Sequence, residues 1–167
     1  MNKAEIYPGE AKPERLYFKS FLQMLRNSVG TQMFRNFYVR TPERGEFDAL
    51  DDGSDACAFY VSAVLVIFGK IGGFHGTVAS TIEDLRKSGW QEVEEPVAGD
   101  VLVWEKQKPG DKWQEHMGFS IGKGRAVSTS LTEKAIIEHD HNFGDANRKI
   151  TQVLRMADWE QTGKPES

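Results

Sequence analysis

One cysteine and four histidines are the side chains here best suited to nucleophilic and proton-transfer chemistry near neutral pH. A thiol attacks well only as a thiolate. Two devices favour that form: the positive N-terminal end of a helix and a neighbouring imidazole. Cys57 is placed for the first. It follows Ser54 and Asp55, both good N-cap residues, and it opens the most apolar helix candidate of the chain, Cys57 to Gly69. Backbone N–H groups in a first helical turn can also receive a developing oxyanion. The competing reading of a lone cysteine is a small buried hydrophobe.

The second device requires a histidine from another element. His75 lies in a Gly-rich connection, Gly72 to Gly76, and reads as a surface loop residue. His116 begins a strand directly after a loop, where a base is held rigidly and still faces a cleft. His139 and His141 alternate on a later strand and share a face, so His116 and His139 can border one site from two strands of a sheet. A zinc site from His116, His139 and His141 lacks any HExxH-type spacing, and a single cysteine cannot anchor a Cys-rich one. Neither a metal nor a cofactor is expected.

The elements that must position these residues follow from periodicity and breakers. Residues 1–12 read as a loose tail. A helix is expected from Pro13, with Leu16, Phe18, Phe21, Leu22 and Leu25 on its apolar face and Gly30 as its stop. Gln32 to Val39 reads as a helix running into a strand. Residues 41–55 read as an acidic loop without the alternating oxygen ligands of a calcium-binding loop. A third helix is expected over Thr77 to Ser88. Strands follow at Gly99–Trp104, His116–Gly122, Arg125–Ser130, Ala135–His141 and Ile150–Met156, with Lys123-Gly124 as a hairpin turn. Helices first and strands second give an α+β fold, with a central buried helix packed on an antiparallel sheet of about five strands.

Three ordered blocks carry a resemblance: Ser54 to Ser62 (SDACAFYVS), Gly99 to Trp104 (GDVLVW) and His116 to Ser128 (HMGFSIGKGRAVS). Together they resemble the NlpC/P60 pattern of papain-like cysteine hydrolases, a group that includes the CHAP enzymes. That pattern has D-C-S-x-[FY] at a helix start, a G-D-[LV] strand and an H-[VI]-[GA]-I-Y-[IL]-G-x-G hairpin. The likeness covers roughly residues 50–140. It implies that Cys57 attacks a carbonyl to form an acyl-enzyme, with His116 as base. It also implies that the substrate is a peptide or amide bond, in most members within peptidoglycan stems. Ala58 stands where the family usually has Ser. The family's third polar residue falls twelve positions after the histidine, at Ser128. His139 is a second candidate to orient the imidazole, and Glu133 a third by CHAP-like spacing. Ser54, Asp55 and Trp113, the last in the loop before His116, are expected to line the substrate groove.

Composition bounds the alternatives. Hydrophobic residues make up 39% and charged residues 28%, the balance of a globular protein. A net charge of −4 offers no basic field for nucleic acid or an anionic membrane. No apolar run is long enough to span a bilayer, and the N-terminus lacks a signal-peptide pattern, so a cytoplasmic or non-classically exported protein is expected. One domain is expected over 13–158, with a C-terminal tail over 159–167. The expected partner is a peptide or cell-wall fragment. The competing functions are hydrolysis of another intracellular amide or acyl substrate and a degenerate module that only binds a ligand. Trp90 and Trp104 are read as core or cleft wall.

Overall fold

The computed structural model of the protein describes residues 14–108 and 111–159. The tail expected over 1–12 lies outside them, as does Pro13. Helix α1 runs Tyr17–Asn27, so it begins later than the proline signal suggested, and it buries Phe21 and Leu25, one turn apart. Ser28 closes it: its hydroxyl donates to the Leu25 carbonyl at 2.7 Å and bonds the Tyr60 hydroxyl at 2.9 Å.

The segment 32–48 departs from expectation. Residues 32–37 form turns rather than a helix, and Tyr38–Thr41 (β1) pairs antiparallel with Gly45–Asp48 (β2). Half of the stretch read as an acidic loop is therefore a hairpin. Its strands lack apolar alternation because both faces are largely solvated. Side-chain contacts hold it instead: Arg40 pairs across the strands with Glu46 at 2.7 Å, and the guanidinium of Arg44, in the turn, lies 3.8 Å from the Phe47 ring centroid.

Helix α2, Cys57–Ile67, buries Ala58 and every residue from Tyr60 to Leu65, as a helix apolar on all sides should. Helix α3, Val78–Lys87, is capped by Thr77, whose hydroxyl accepts the Ser80 N–H at 3.2 Å. Six strands then form one antiparallel sheet: β3 Gln91–Val93, β4 Val101–Gln107, β5 Gln114–Gly122, β6 Arg125–Thr129, β7 Ile136–Asp140 and β8 Ile150–Arg155. Their order is β3-β8-β4-β5-β6-β7. The additional strand relative to the expected five is β3, whose three residues pair with β8 and are too short to show a period.

The fold is thus α+β, and the two sheet faces differ. Val101, Val103, Met117, Phe119, Val127 and Leu154 join α1 and α2 in the main core. Leu102, Trp104, Ala126 and Val153 form a second cluster, joined by Phe143 and Ile150. These sets alternate along β4, β6 and β8, so the clusters occupy opposite faces. Trp159, assigned above to the tail, is 2% exposed and stacks on Phe21 at 4.2 Å between ring centroids. The domain extends at least that far. Among the described residues no helix is long and apolar enough to cross a membrane.

Candidate active site

The loop into Cys57 is built by its own acids. Asp48 accepts the backbone N–H groups of Phe37, Leu50 and Asp52 and the Asn36 amide at 2.7–3.0 Å. Although its partial burial works the other way, these four donors hold the Asp48 carboxyl down at about 2. Asp52 is held by Arg35 at 2.6 and 2.8 Å. Asp48 and Asp52, two of the acids that could have suggested a calcium loop, are thus engaged within the fold. At the helix start, Ala56 is the N-cap and no side chain caps the first turn. Ser54 and Asp55 take other partners: Lys134 donates to the Ser54 hydroxyl at 3.0 Å, and the Gln114 amide donates to Asp55 at 3.1 Å. The Asp55 contact ties the α2 entrance to the first residue of β5.

On β5, alternation places His116, Gly118 and Ser120 on one face and Met117 and Phe119 in the core. Pairing between β5 and β6 begins only at Gly118 opposite Ser128. The two strands part beyond that point, and the Met117 N–H turns toward the Cys57 sulfur, as does the N–H of Ala58. Cys57 and His116 line one cavity of about 740 Å³, together with Ser54, Asp55, Trp113 and Arg148. Trp113 is 68% exposed at its rim. All three residues expected in the groove are therefore at the cavity.

Behind His116 runs a chain of polar groups. His116 Nε2 and the Ser128 hydroxyl are 2.9 Å apart, Ser128 and His139 Nε2 are 2.8 Å apart, and His139 Nδ1 lies 2.7 Å from the Asp140 carbonyl oxygen. One proton arrangement satisfies all three with neutral rings. The carbonyl can only accept, so His139 carries its proton on Nδ1. Its Nε2 then accepts from Ser128, and Ser128 accepts from His116 Nε2–H. The lone pair of His116 is left on Nδ1. Ser128 and His139, the alternative third members, thus lie in series behind His116. Glu133 lies exposed in the turn after β6, where its N–H donates to Ser130 at 3.1 Å. It is absent from the cavity wall.

Aromatic rings surround the chain. Phe143 stacks on His139 at 3.8 Å between centroids, and Trp104 lies 5.5 Å from His116 and 5.4 Å from His139. Trp104 is itself anchored to the His141 carbonyl at 2.6 Å. His141 turns away from this group, bonding Ser120 and the Arg125 carbonyl, each at 3.1 Å. Among the described residues no cluster of three His, Cys, Asp or Glu could hold a metal ion. His75, read as a surface loop residue, is instead tied to Asp84 at 2.6 Å.

Burial sets the protonation states. It pulls His116 down to about 3, with the positive charge of Arg148 and the neighbouring His139 adding to the effect. It pushes the Cys57 thiol up, against the Met117 and Ala58 N–H groups and Arg148, which favour the anion. Burial thus favours the neutral thiol and the neutral imidazole, and no hydrogen bond joins the two among the described residues. The helix start and the cation therefore lessen the cost of a thiolate without making it the resting form.

Sequence reading missed Arg148 and Phe143. Both lie in the polar connection between β7 and β8, where no periodicity marks a residue as inward-facing; the left-handed backbone at Phe143, with φ of 60°, turns that chain over the sheet. No family model matches this chain, and no curated protein matches it.

Proposed function

We propose that the protein is a papain-like cysteine hydrolase of NlpC/P60 type that cleaves a peptide or amide bond through Cys57 and His116. The observation that carries this is the chain His116–Ser128–His139, which leaves a base nitrogen on His116 in the cavity where Cys57 opens a helix. In the reaction, Cys57 Sγ bonds the substrate carbonyl carbon as its proton passes to His116 Nδ1. The uncapped first turn of α2 offers N–H groups to the oxyanion. His116 then gives its proton to the leaving amine as the C–N bond breaks, producing a thioester. Water, deprotonated by His116, attacks the thioester; the C–S bond breaks, and the proton returns to the thiolate.

The proposed substrate class, peptide bonds of peptidoglycan stems, rests on the three sequence blocks. Incubation with isolated wall fragments, read by mass, tests it: new peptide termini should form with wild type and not with Cys57→Ala. Identical products from both would overturn the hydrolase reading. A second reading, a cleft that binds without turnover, draws on the neutral resting pair and its missing hydrogen bond. It predicts that wild type and Cys57→Ala bind fragments equally and that neither cuts them.

A further inference from the structure

Among the described residues Arg148 is a half-buried cation without a carboxylate partner. Its Nε donates to the Glu105 carbonyl at 3.0 Å and its Nη2 to the Gln114 carbonyl at 3.0 Å. Among the described residues no carboxylate pairs with it. The Cys57 thiol and the Glu105 carboxylate favour its charge from a distance, and Glu105 accepts the Lys149 N–H at 3.0 Å. The guanidinium is braced rather than free, with its carbon 5.9 Å from the Phe143 ring centroid. Two of its nitrogens are committed to backbone, and among the described residues Nη1 has no hydrogen-bond partner; the side chain stands at a cavity wall shared with Cys57 and His116.

Withdrawing a guanidinium from water without a counter-charge is costly, and burial does pull Arg148 downward. A group of this kind is retained where a ligand supplies the missing anion, and Arg recognises carboxylates well because its donors lie in one plane. Resting on the hydrolase reading, we infer that Arg148 anchors a carboxylate of the substrate close to the bond that Cys57 attacks. The site would then select anionic peptides over neutral ones. Lys106, exposed on the same wall, would add to the attraction without fixing geometry.

Two alkylating agents of nearly equal size separate the claims. Iodoacetamide is neutral and iodoacetate carries a carboxylate, so the ratio of their rates at Cys57, normalised to the ratio for glutathione, reports anion recognition beside the thiol. We expect a normalised ratio about tenfold above one, a gain of about 1.4 kcal/mol in transition-state binding. It should fall to one in Arg148→Gln, persist in part in Arg148→Lys and remain unchanged in Lys19→Gln, which removes the same charge elsewhere. A merely structural Arg148 would lower both rates together and leave the ratio alone. A wild-type ratio at or below one, or an Arg148→Gln ratio equal to wild type, would overturn the anchor.

The iodoacetamide rate alone, compared with His116→Ala, reports on the nucleophile, so the two readings fail separately. Should Cys57 resist both reagents, glutarate titration followed at the Trp113 indole N–H by NMR decides the anchor. A saturating shift lost in Arg148→Gln supports it, and no shift in wild type overturns it.

Discussion

Ser128 has no exposed surface and sits between two imidazoles, which in the proposed mechanism makes it a positioning residue. Removing its hydroxyl leaves a buried donor on His116 and a buried acceptor on His139 without partners, each costing about 1–3 kcal/mol. Ser128→Ala should therefore lower stability by that order. It should also convert His116 from an Nε2-protonated ring to a mixture of tautomers, visible in its ¹⁵N shifts. An unchanged tautomer would contradict the proton arrangement given above. Gly118 bears on the same pair. A Cβ there would lie 2.4 Å from the Val127 carbonyl oxygen and 2.7 Å from Ser128 Cβ. Gly118→Ala should cost about 1–3 kcal/mol as an overpacked contact, with loss of activity beyond the loss of stability. His116 gives a pH signature. The unfolded chain takes up its proton below about 6.5, while the folded one holds out to about 3. Across that window the unfolded state binds more protons, so stability falls as pH falls. His116→Gln should flatten this slope in urea titrations between about pH 6 and pH 4; His139 and His141, also pulled down mainly by burial, sustain part of it.

At the scale of elements, legibility followed burial. The α2 helix and strands β4 to β8 were readable because each sets apolar residues against a core: a long run in α2, alternation in β5, and short apolar runs between turn signals in β4, β6 and β8. The β1–β2 hairpin was not, since its cohesion lies in Arg40–Glu46 and Arg44–Phe47 contacts that leave no hydrophobic period. The site divides in the same way. Cys57, His116 and Ser128 stand at element starts or on alternating strands, where position implies direction. Arg148 and Phe143 reach the cavity through a turn whose course no local rule specifies. The loop before α2 depends on one carboxylate, Asp48, with its four donors. That carboxyl is depressed to about 2, so its contribution is present above about pH 4 and is lost as pH falls through about 2. Asp48→Ala should lower Tm by several degrees at neutral pH and slow Cys57 alkylation, because the loop that aims the thiol loosens. Equal Tm values for the two proteins would show that the loop is held by other means.

For the whole molecule, the aromatic layer between α1, α2 and the C-terminal turn unites the domain. Phe21 meets Phe68, Phe119 and Trp159, and Trp159 meets Trp90. Trp159 read as tail because a polar stretch, 160–167, follows it in the sequence, whereas its burial depends on α1 from the other end of the chain. Trp159→Ala should cost about 3–5 kcal/mol, measured by denaturant unfolding, a penalty that no tail residue would show. That frame fixes α2 against β5 and so brings the helix-start cysteine to the cavity that His116 also lines. The pairing of these two residues across one cavity is the centre of the functional reading, and alkylation tests it most directly. With iodoacetamide at pH 7, Cys57 in wild type should react at least about tenfold faster than in His116→Ala, consistent with a neutral imidazole accepting the thiol proton. Equal rates, both those of an ordinary thiol with a pKa of about 8.5, would contradict it.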